Sequence, residues 1–403
     1  MKLVFCILFF GVASALPKEW IKDFNLGSFK GVFQDFIDDD KFEDLFKNDK
    51  LGDYINGLKG IGDKTKDTLH KATGLRKKLD SDEEYKTKPE SKKHFTKFFN
   101  FIANFEKAYD NDSHVEDRFQ KFQDSLSLID DLQKNNSLTK FGLTQFSDLS
   151  RDEFIKGFTG IKGVEHVKQL HGNASEAIRS KRDAVPDAFD WRDHNGVTPP
   201  KNQLNCGCCY AFAAIGAIES QFKIRTNKTY DLSEQQAVSC TYQSSKYSNN
   251  GGCDGGQSFA VFQYAIDNGL GTETDFPYTS GDSQTIPACK SVTAAVKVTS
   301  HASLPAKDEV NMAKVVYETG PIVTYLNADQ MQHYQGGILD AAEPSGGWEI
   351  NHAVLTVGYG AENGTPYWII KNSWGPTWGE SGFVRVRRGT NSFDLAEYNY
   401  SVN

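Results

Sequence analysis

The stretch Q-L-N-C-G-C-C-Y-A-F-A-A-I-G-A-I-E-S-Q-F, from Gln203 to Phe222, constrains the fold of this chain more than any other. It begins as a loop and ends as a helix: Phe212, Ile215, Ile218 and Phe222 recur at helical spacing, with alanines filling the turns between them. Three cysteines stand where that helix should start. A thiol at a helix N-terminus faces unpaired backbone N–H groups and the positive end of the helix dipole, and both favour the thiolate. Cys209, directly before Tyr210, is best placed to gain from this. A structural half-cystine or an inert buried thiol is the ordinary reading of a single cysteine. Only residues further down the chain shift it.

At 403 residues the chain exceeds one ordinary domain, and two or three units are expected. A net charge of -8 and a pI near 5.7 give no electrostatic reason to expect nucleic acid as a partner. Residues 1–15, with one Lys, a short apolar core and small residues at Ala13 and Ala15, read as a secretory signal peptide too short to span a bilayer. No later apolar run is long enough either. The expectation is a secreted or lysosomal protein without stable membrane insertion. Cys6 leaves with the signal. The remaining Cys206, Cys208, Cys209, Cys240, Cys253 and Cys289 all lie in one stretch, and an oxidising compartment makes disulfides the expectation. Six cysteines allow many pairings, among which sequence does not choose. No Cys-x-x-Cys pair with a matching His or Cys pair is present, so neither metal nor cofactor is expected. Asn111, Asn135, Asn173, Asn227, Asn363 and Asn399 head N-x-S/T glycosylation motifs.

Taken in order, residues 16–90 are the least readable part. Phe29, Val32, Phe33, Phe36 and Ile37, then Phe42, Leu45 and Phe46, keep a helical period. Acidic residues dominate around Asp38-Asp39-Asp40, lysines dominate from Lys59 to Lys78, and Gly52, Gly57, Gly60 and Gly62 interrupt the pattern. This composition predicts a solvated accessory segment, either a loose helical hairpin or partly disordered, of no assigned function. From Ser91 the pattern is helical: Phe95, Phe98, Phe99, Ile102 and Phe105 form one stripe and Val115, Phe119, Phe122, Leu126 and Ile129 a second. A short strand and turn follow, then a helix through Phe154. A unit this small needs a partner surface. Residues 161–183 carry glycines and the basic run Arg179-Ser180-Lys181-Arg182, as an exposed, cleavable linker does. Beyond it, 353–360, 366–371 and 382–389 are strand-like with Gly or Pro punctuation.

Three signals converge in this last part: Cys209 in C-G-C-C-Y, His352 in N-H-A-V and Asn372 in K-N-S-W-G. Their order and spacing are close to the signature C-G-[SA]-C-[WY] with His and Asn about 130–150 residues downstream. With V-P-D-A-F-D-W-R, L-S-E-Q-Q, G-C-D-G-G, G-P-I-V and N-S-W-G-P-T-W-G in the same order, the chain from Ser91 to Asn403 resembles a zymogen of the papain family of cysteine proteases, of the cathepsin L-like kind. The resemblance implies an α+β, papain-like two-lobed fold, with a helical left lobe and a β-barrel-like right lobe, preceded by a mainly helical inhibitory prodomain. The implied domains are a signal peptide (1–15), an N-terminal extension of unknown role (16–90), an inhibitory propeptide domain (91–160), an activation linker (161–183) and a peptidase domain (184–403).

The implied chemistry is peptide-bond hydrolysis through a thiolate–imidazolium pair. His352 would take the Cys209 proton, Asn372 would fix the imidazole tautomer, and Trp374 would shield that bond from water. Gln203 and the Cys209 backbone N–H would form an oxyanion hole. Gly255 and Gly256 would leave the backbone bare for an extended peptide, and Tyr325, Ile350 and Tyr398, with Ser258 at the rim, would line an apolar specificity pocket. By resemblance Cys206 pairs with Cys253, and Cys240 with Cys289. A third bridge common in the family has no cysteines here: Phe393 stands where one half would be, and nothing replaces the other before His352.

Cys208 departs from the signature, and three readings stand: an inert inward residue, an alternative partner for Cys253, or a vicinal bridge with Cys209 that acts as a redox switch. In the prosegment Arg118, Phe122 and Ile129 fit the family pattern, as do Gly142, Thr144, Phe146 and Asp148, whereas His114, Ser125 and Gln133 replace its usual Glu, Asn and Asn. The resemblance implies that the prosegment runs backwards through the cleft and is removed by cleavage between about Arg179 and Ala184, with acid helping. The expected partners are protein or peptide substrates and the chain's own prosegment, around a monomer. Two alternatives remain: a catalytically silent homologue that binds, or a released prosegment that is itself a protease inhibitor.

Overall fold

The computed structural model describes residues 36–83, 85, 89–161 and 185–403. The signal peptide, the Phe29–Phe33 repeat, Asn173 and the cleavage region around Arg179 lie outside them. The chain forms two compact units, one reaching Ser137 and including Phe141–Arg151, the other made of Leu138–Lys140 and the chain from Asp152. Among the described residues no helix is long and apolar enough to cross a membrane.

The first unit is helical, and it corrects the expectation for the extension. Residues 39–79 are not loose. They form α1 (Asp39–Lys47), α2 (Leu51–Gly57) and α3 (Asp63–Leu79), which pack with α4 (Pro89–Asn104) and α5 (Asp112–Asn135). Phe42, Leu51, Ile55, Leu69, Ala72 and Leu75 join Phe95, Phe98, Phe99, Phe119 and Phe122 in one buried cluster. Phe42 meets the rings of Phe95 and Phe99 at 5.8 and 5.3 Å. The partner surface that α4 and α5 need is therefore supplied by the extension itself.

The segregated charges that suggested disorder serve as caps and ion pairs instead. Asp38 caps α1 by accepting from Lys41 N, and Asp39 and Asp40 occupy its first turn, where the helix dipole favours anions. Arg76 is 1% exposed; it pairs with Glu43 at 2.7 Å and Asp80 at 3.1 Å. Its guanidinium also lies within 5.0–5.7 Å of the rings of Phe42, Phe46, Tyr85 and Phe95. α3 grips the loop after α4. Tyr109 N donates to Thr68 Oγ1 at 2.9 Å, and Lys71 Nζ donates to the carbonyls of Tyr109 and Asp110.

The second unit is α+β. After α6 (Arg151–Phe158), α7 (Cys209–Thr226) is buried on all sides for most of its length rather than along one stripe, which its alanines and Gly216 permit. A Cβ at Gly216 would lie 3.3 Å from Leu355. α8 (Glu234–Thr241) and α9 (Ser258–Asn268) flank α7. The sheet against it runs β1-β5-β8-β7-β6-β4-β9-β3, with β2 (Phe189–Asp190) added to β6. Here β1 is Thr139–Phe141, β3 His301–Ser303, β4 Ile322–Leu326, β5 Tyr334–Leu339, β6 His352–Glu362, β7 Thr365–Lys371, β8 Phe383–Arg387 and β9 Asn399–Val402. Its two edges are different strands, so the expected barrel-like lobe is an open sheet. From β8 through β7, β6, β4 and β9 to β3, and for β2 on β6, the pairing is antiparallel, whereas β5 with β8 is parallel.

Two disulfides staple the helical side: Cys206–Cys253 and Cys240–Cys289. Where the third bridge is missing, Phe393 is buried with a φ of 59° and its ring lies 4.8 Å from Trp348. An aromatic contact holds the segment just before His352, a replacement the sequence pattern had not revealed. Asn399 is 1% exposed on β9 and donates its amide to Leu395 O, so it has no room for a glycan. Asn111, Asn135, Asn227 and Asn363 are exposed.

Candidate active site

Cys209 is the first residue of α7, where the positive end of the helix dipole meets it. His352 opens β6, and Asn372 follows the last residue of β7. β6 and β7 are antiparallel neighbours, so a helix start and two adjoining strand ends bring together residues far apart in sequence. The Cys209 sulfur accepts from the Ala353 backbone N–H at 3.4 Å, which sets it beside His352. His352 Nε2 lies 2.8 Å from Asn372 Oδ1, and Ser373 N donates to that same oxygen at 2.8 Å. An amide oxygen only accepts, so Nε2 carries the proton and Nδ1 is left with the basic lone pair. Nδ1 has no hydrogen-bond partner. The Trp374 ring stacks on the imidazole at 4.8 Å and is itself fully buried.

Gln203 is fully buried. Its side-chain oxygen accepts from Ser373 Oγ at 2.6 Å, and its amide nitrogen donates one hydrogen to Cys206 O at 2.9 Å, leaving the second free. Ser373, which orients Gln203 and Asn372 together, was missed by sequence reasoning although it stands inside K-N-S-W-G.

A piece of the prosegment occupies the groove. Gly256 N donates to Gly160 O at 2.9 Å, and Ile161 bridges Gly256 in the parallel sense. On the other side, Gly160 N and Ile161 N donate to Asn351 O at 2.9 and 3.0 Å, and Trp374 Nε1 donates to Phe158 O at 2.8 Å. A Cβ at Gly160 would lie 1.9 Å from Gly207 O, so only glycine passes there. Gly255, with a φ of 100°, makes the turn that presents Gly256. Asn351, the neighbour of His352, was not singled out by sequence. With residues 158–161 in place, Cys209 and His352 are both 0% exposed. Burial pushes the Cys209 thiol up to about 12, with the Ala353 N–H pulling the other way. Burial likewise lowers the His352 imidazole to about 4 against its bond to Asn372. The pair is neutral in this state.

Tyr325, Ile350 and Tyr398 belong to the same apolar cluster as Ile161. The Tyr325 hydroxyl is engaged, accepting from Ser258 N at 2.8 Å and donating to Gln257 Oε1 at 3.1 Å. Ser258 is fully buried, not at a rim. Cys208 is a free buried thiol, bonded to neither Cys209 nor Cys253.

Beside the site lies a small, partly open space lined in part by charged side chains. Lys201 Nζ reaches Glu219 and Glu234 at 2.9 Å each, and Lys371, adjoining Asn372, donates to Thr198 at 3.0 Å. Desolvation lowers Lys371 to about 8, against the pull of Glu219.

Residues 185–402 match the model of the papain family cysteine proteases, and residues 98–154 that of the cathepsin propeptide inhibitor domain. A viral cathepsin of Heliothis zea nuclear polyhedrosis virus is 37% identical over 313 residues, 74% of this chain and 82% of that protein. Cysteine proteinase 1 of Dictyostelium discoideum is 35% identical over 319 residues, 75% of this chain and 91% of its own. Among solved structures, digestive procathepsin L 3 of Tenebrio molitor larval midgut superposes with a TM-score of 0.66 at 29% identity, covering 77% of this chain and 98% of its own. The proform of the ragweed pollen allergen Amb a 11 superposes with a TM-score of 0.68 at 29% identity, covering 80% and 95%. The catalytic-type geometry, the prosegment in its groove and these likenesses agree: the chain belongs to the papain family of cysteine proteases, as an endopeptidase proproenzyme that carries its own cathepsin-type inhibitor propeptide.

Proposed function

We propose that the mature enzyme cleaves peptide bonds through a Cys209 thiolate–His352 imidazolium pair, formed once the prosegment leaves and water enters the groove. His352 Nδ1 takes the thiol proton. The thiolate attacks the scissile carbonyl carbon, and the displaced electron pair rests on an oxygen facing the Cys209 N–H and the free hydrogen of the Gln203 amide. Collapse of that intermediate expels the amine, which takes the imidazolium proton and leaves a thioester. A water molecule, deprotonated by Nδ1, then hydrolyses the thioester and restores the thiol. The observation that carries this reading is the bond from His352 Nε2 to Asn372 Oδ1, which leaves Nδ1 as the basic nitrogen of a residue whose neighbour, Ala353, donates its N–H to the Cys209 sulfur. Tyr325, Ile350 and Tyr398 favour substrates with an apolar side chain in that pocket, since no acid is placed there to pair with a basic one.

The same reading makes the prosegment a reversed occupant. Its parallel pairing with Gly256 opposes the antiparallel direction of a productive peptide, so it fills the groove uncut. Domain limits at 15, 90, 160 and 183, export through residues 1–15 and passage to a secreted or lysosomal destination complete the proposal. Release follows cleavage between Arg179 and Ala184, assisted by acid. Within the propeptide, Asp148 is a hub of contacts: its carboxylate oxygens hold Lys107 Nζ at 2.8 Å and Tyr109 Oη at 2.7 Å, and its carbonyl accepts from Arg118 at 3.0 Å. The test is acidification of the purified zymogen, followed by N-terminal sequencing of the product and labelling with a thiol-reactive peptidyl epoxide. Label on Cys209 of a product starting near residue 184 is expected. A correctly trimmed product that takes no label at Cys209 would sink the mechanism.

A further inference from the structure

The sulfur of Cys208, for which sequence left three readings open, lies 3.1 Å from the hydroxyl of Tyr278. That hydroxyl lies 2.7 Å from the backbone carbonyl of Gln203. The proton accounting is strict. A carbonyl cannot donate, so the single Tyr278 proton goes to Gln203 O, and the contact to Cys208 is made by the thiol as donor. The chain runs from Cys208 S–H to Tyr278 O–H to Gln203 C=O.

Each end of this chain is adjacent to a donor of the oxyanion hole. Cys208 precedes Cys209, whose backbone N–H is one donor, and Gln203 carries the other on its side chain. The loop between them needs holding. Leu204 has a φ of 52°, a left-handed conformation that a branched residue adopts only under constraint. Gln203 N donates to Ser373 O at 2.8 Å, so its backbone is fixed from the sheet side by Ser373 and from the helical side by Tyr278. Tyr278 is itself anchored: its N–H donates to Glu273 Oε1 at 2.6 Å and its ring meets Phe212 edge-on at 5.1 Å. The next turn is packed hard against the same loop. A Cβ at Gly281 would lie 2.8 Å from Leu204 Cβ and 2.9 Å from Gln203 O.

We propose that Tyr278 and Cys208 are positioning residues for the oxyanion hole, with the Tyr278 hydroxyl tying its two donors into one rigid loop. The inference rests on the oxyanion role proposed above for Gln203. It also explains why a cysteine is tolerated at 208: a weak donor is required, not a second nucleophile. A serine there keeps the donor; an alanine loses it.

The test uses the matured enzyme carrying Tyr278→Phe, Cys208→Ala, Cys208→Ser or Gln203→Ala. Four quantities are read: kcat and KM on a peptide amide, Ki for a peptide aldehyde, and the rate of Cys209 alkylation by iodoacetamide. The aldehyde adduct places an oxyanion in the hole, whereas alkylation needs only the thiolate. Tyr278→Phe and Cys208→Ala should each lower kcat about three- to tenfold and raise the aldehyde Ki by a similar factor, the effect of one buried hydrogen bond. KM and the alkylation rate should stay within about twofold, and Cys208→Ser should retain more kcat than Cys208→Ala. A fall in kcat matched by slower alkylation, or an aldehyde Ki that does not move, overturns the proposal. If Gln203→Ala itself leaves kcat and the aldehyde Ki unchanged, the underlying oxyanion reading falls instead. Should Tyr278→Phe fail to fold, the Cys208 pair decides alone, because trimming a thiol to a methyl barely alters packing.

Discussion

Gly160→Ala is the change that tests the blocked groove most directly. A methyl group there would sit 1.9 Å from Gly207 O and 2.5 Å from Gly207 C, both backbone atoms that cannot turn aside. The segment must lift. In lifting it gives up the bonds from Gly160 N and Ile161 N to Asn351 O and from Gly256 N to Gly160 O. At about 0.5–1.5 kcal/mol each, those three bonds amount to about 1.5–4.5 kcal/mol, a factor between about 10 and 10³ in occupancy. The chemistry should follow. A Cys209 thiol pushed up to about 12 has about one molecule in 10⁵ ionised at pH 7, against a few per cent for an ordinary thiol. Thiolate predominates only above that value, so the buried zymogen should be almost inert to iodoacetamide across the neutral range. Opening the groove restores hydration, lets the imidazole rise from about 4, and lets the pair ionise. The assay is the second-order alkylation rate of Cys209 at pH 7 in both zymogens, with circular dichroism to show that each is folded. At least a tenfold faster reaction is expected for Gly160→Ala, together with peptidase activity before acidification. A folded variant that stays latent and reacts no faster would refute the argument.

Two further outcomes concern the prosegment. His114 stands where a Glu is usual and accepts from Arg118 Nε at 3.0 Å, beside Asp110 at 3.7 Å and the Tyr109 ring. Arg118 in turn holds Asp148 O and lies 3.9 Å from Asp117. An imidazole offers Arg118 one lone pair, whereas a glutamate offers a charged, two-oxygen acceptor. His114→Glu should therefore strengthen the hold on Arg118 and slow processing at fixed pH, and an unchanged rate removes His114 from that contact. Thr68→Val leaves the buried Tyr109 N–H without its acceptor, at a cost of about 1–3 kcal/mol. It should speed amide exchange at residues 107–110 and accelerate processing at fixed pH; exchange confined to α3, with normal processing, would uncouple the extension from the Asp148 contacts.

Legibility in this sequence tracked the range of the interaction. Cys209, His352 and Asn372 were visible because each sits in a short motif whose local geometry, a helix start or a strand end, is itself encoded nearby. Sheet pairing then set His352 against Asn372, and the Ala353 N–H against the Cys209 sulfur. Tyr278 left no such trace: its partner Gln203 lies 75 residues away, and nothing in P-Y-T-S-G announces where a hydroxyl will point. Asn399 shows the converse failure. Its N-Y-S motif is intact, but the strand pairing of β9 buries it, and a motif carries no information about burial.

The extension was misread for a more physical reason. Composition-based inference of disorder assumes that charge stays in water, since few apolar residues then remain to offset chain entropy. Here Asp38, Asp39 and Asp40 gather at the N-terminus of α1, while Arg76, Lys77 and Lys78 gather in the last turn of α3. The segregation that looked like a solvated block is helix-end electrostatics. Arg76 then turns inward, bringing Glu43 and Asp80 with it onto a floor of four aromatic rings. A buried guanidinium survives only where ion pairs and π-faces replace its water. The aromatic period from Phe36 to Phe46 was therefore the informative signal and the charge was not. An extension that adds core on this scale makes α4 and α5 part of a five-helix body, so the loop carrying Lys107 and Tyr109 is held by residues outside the matched propeptide segment.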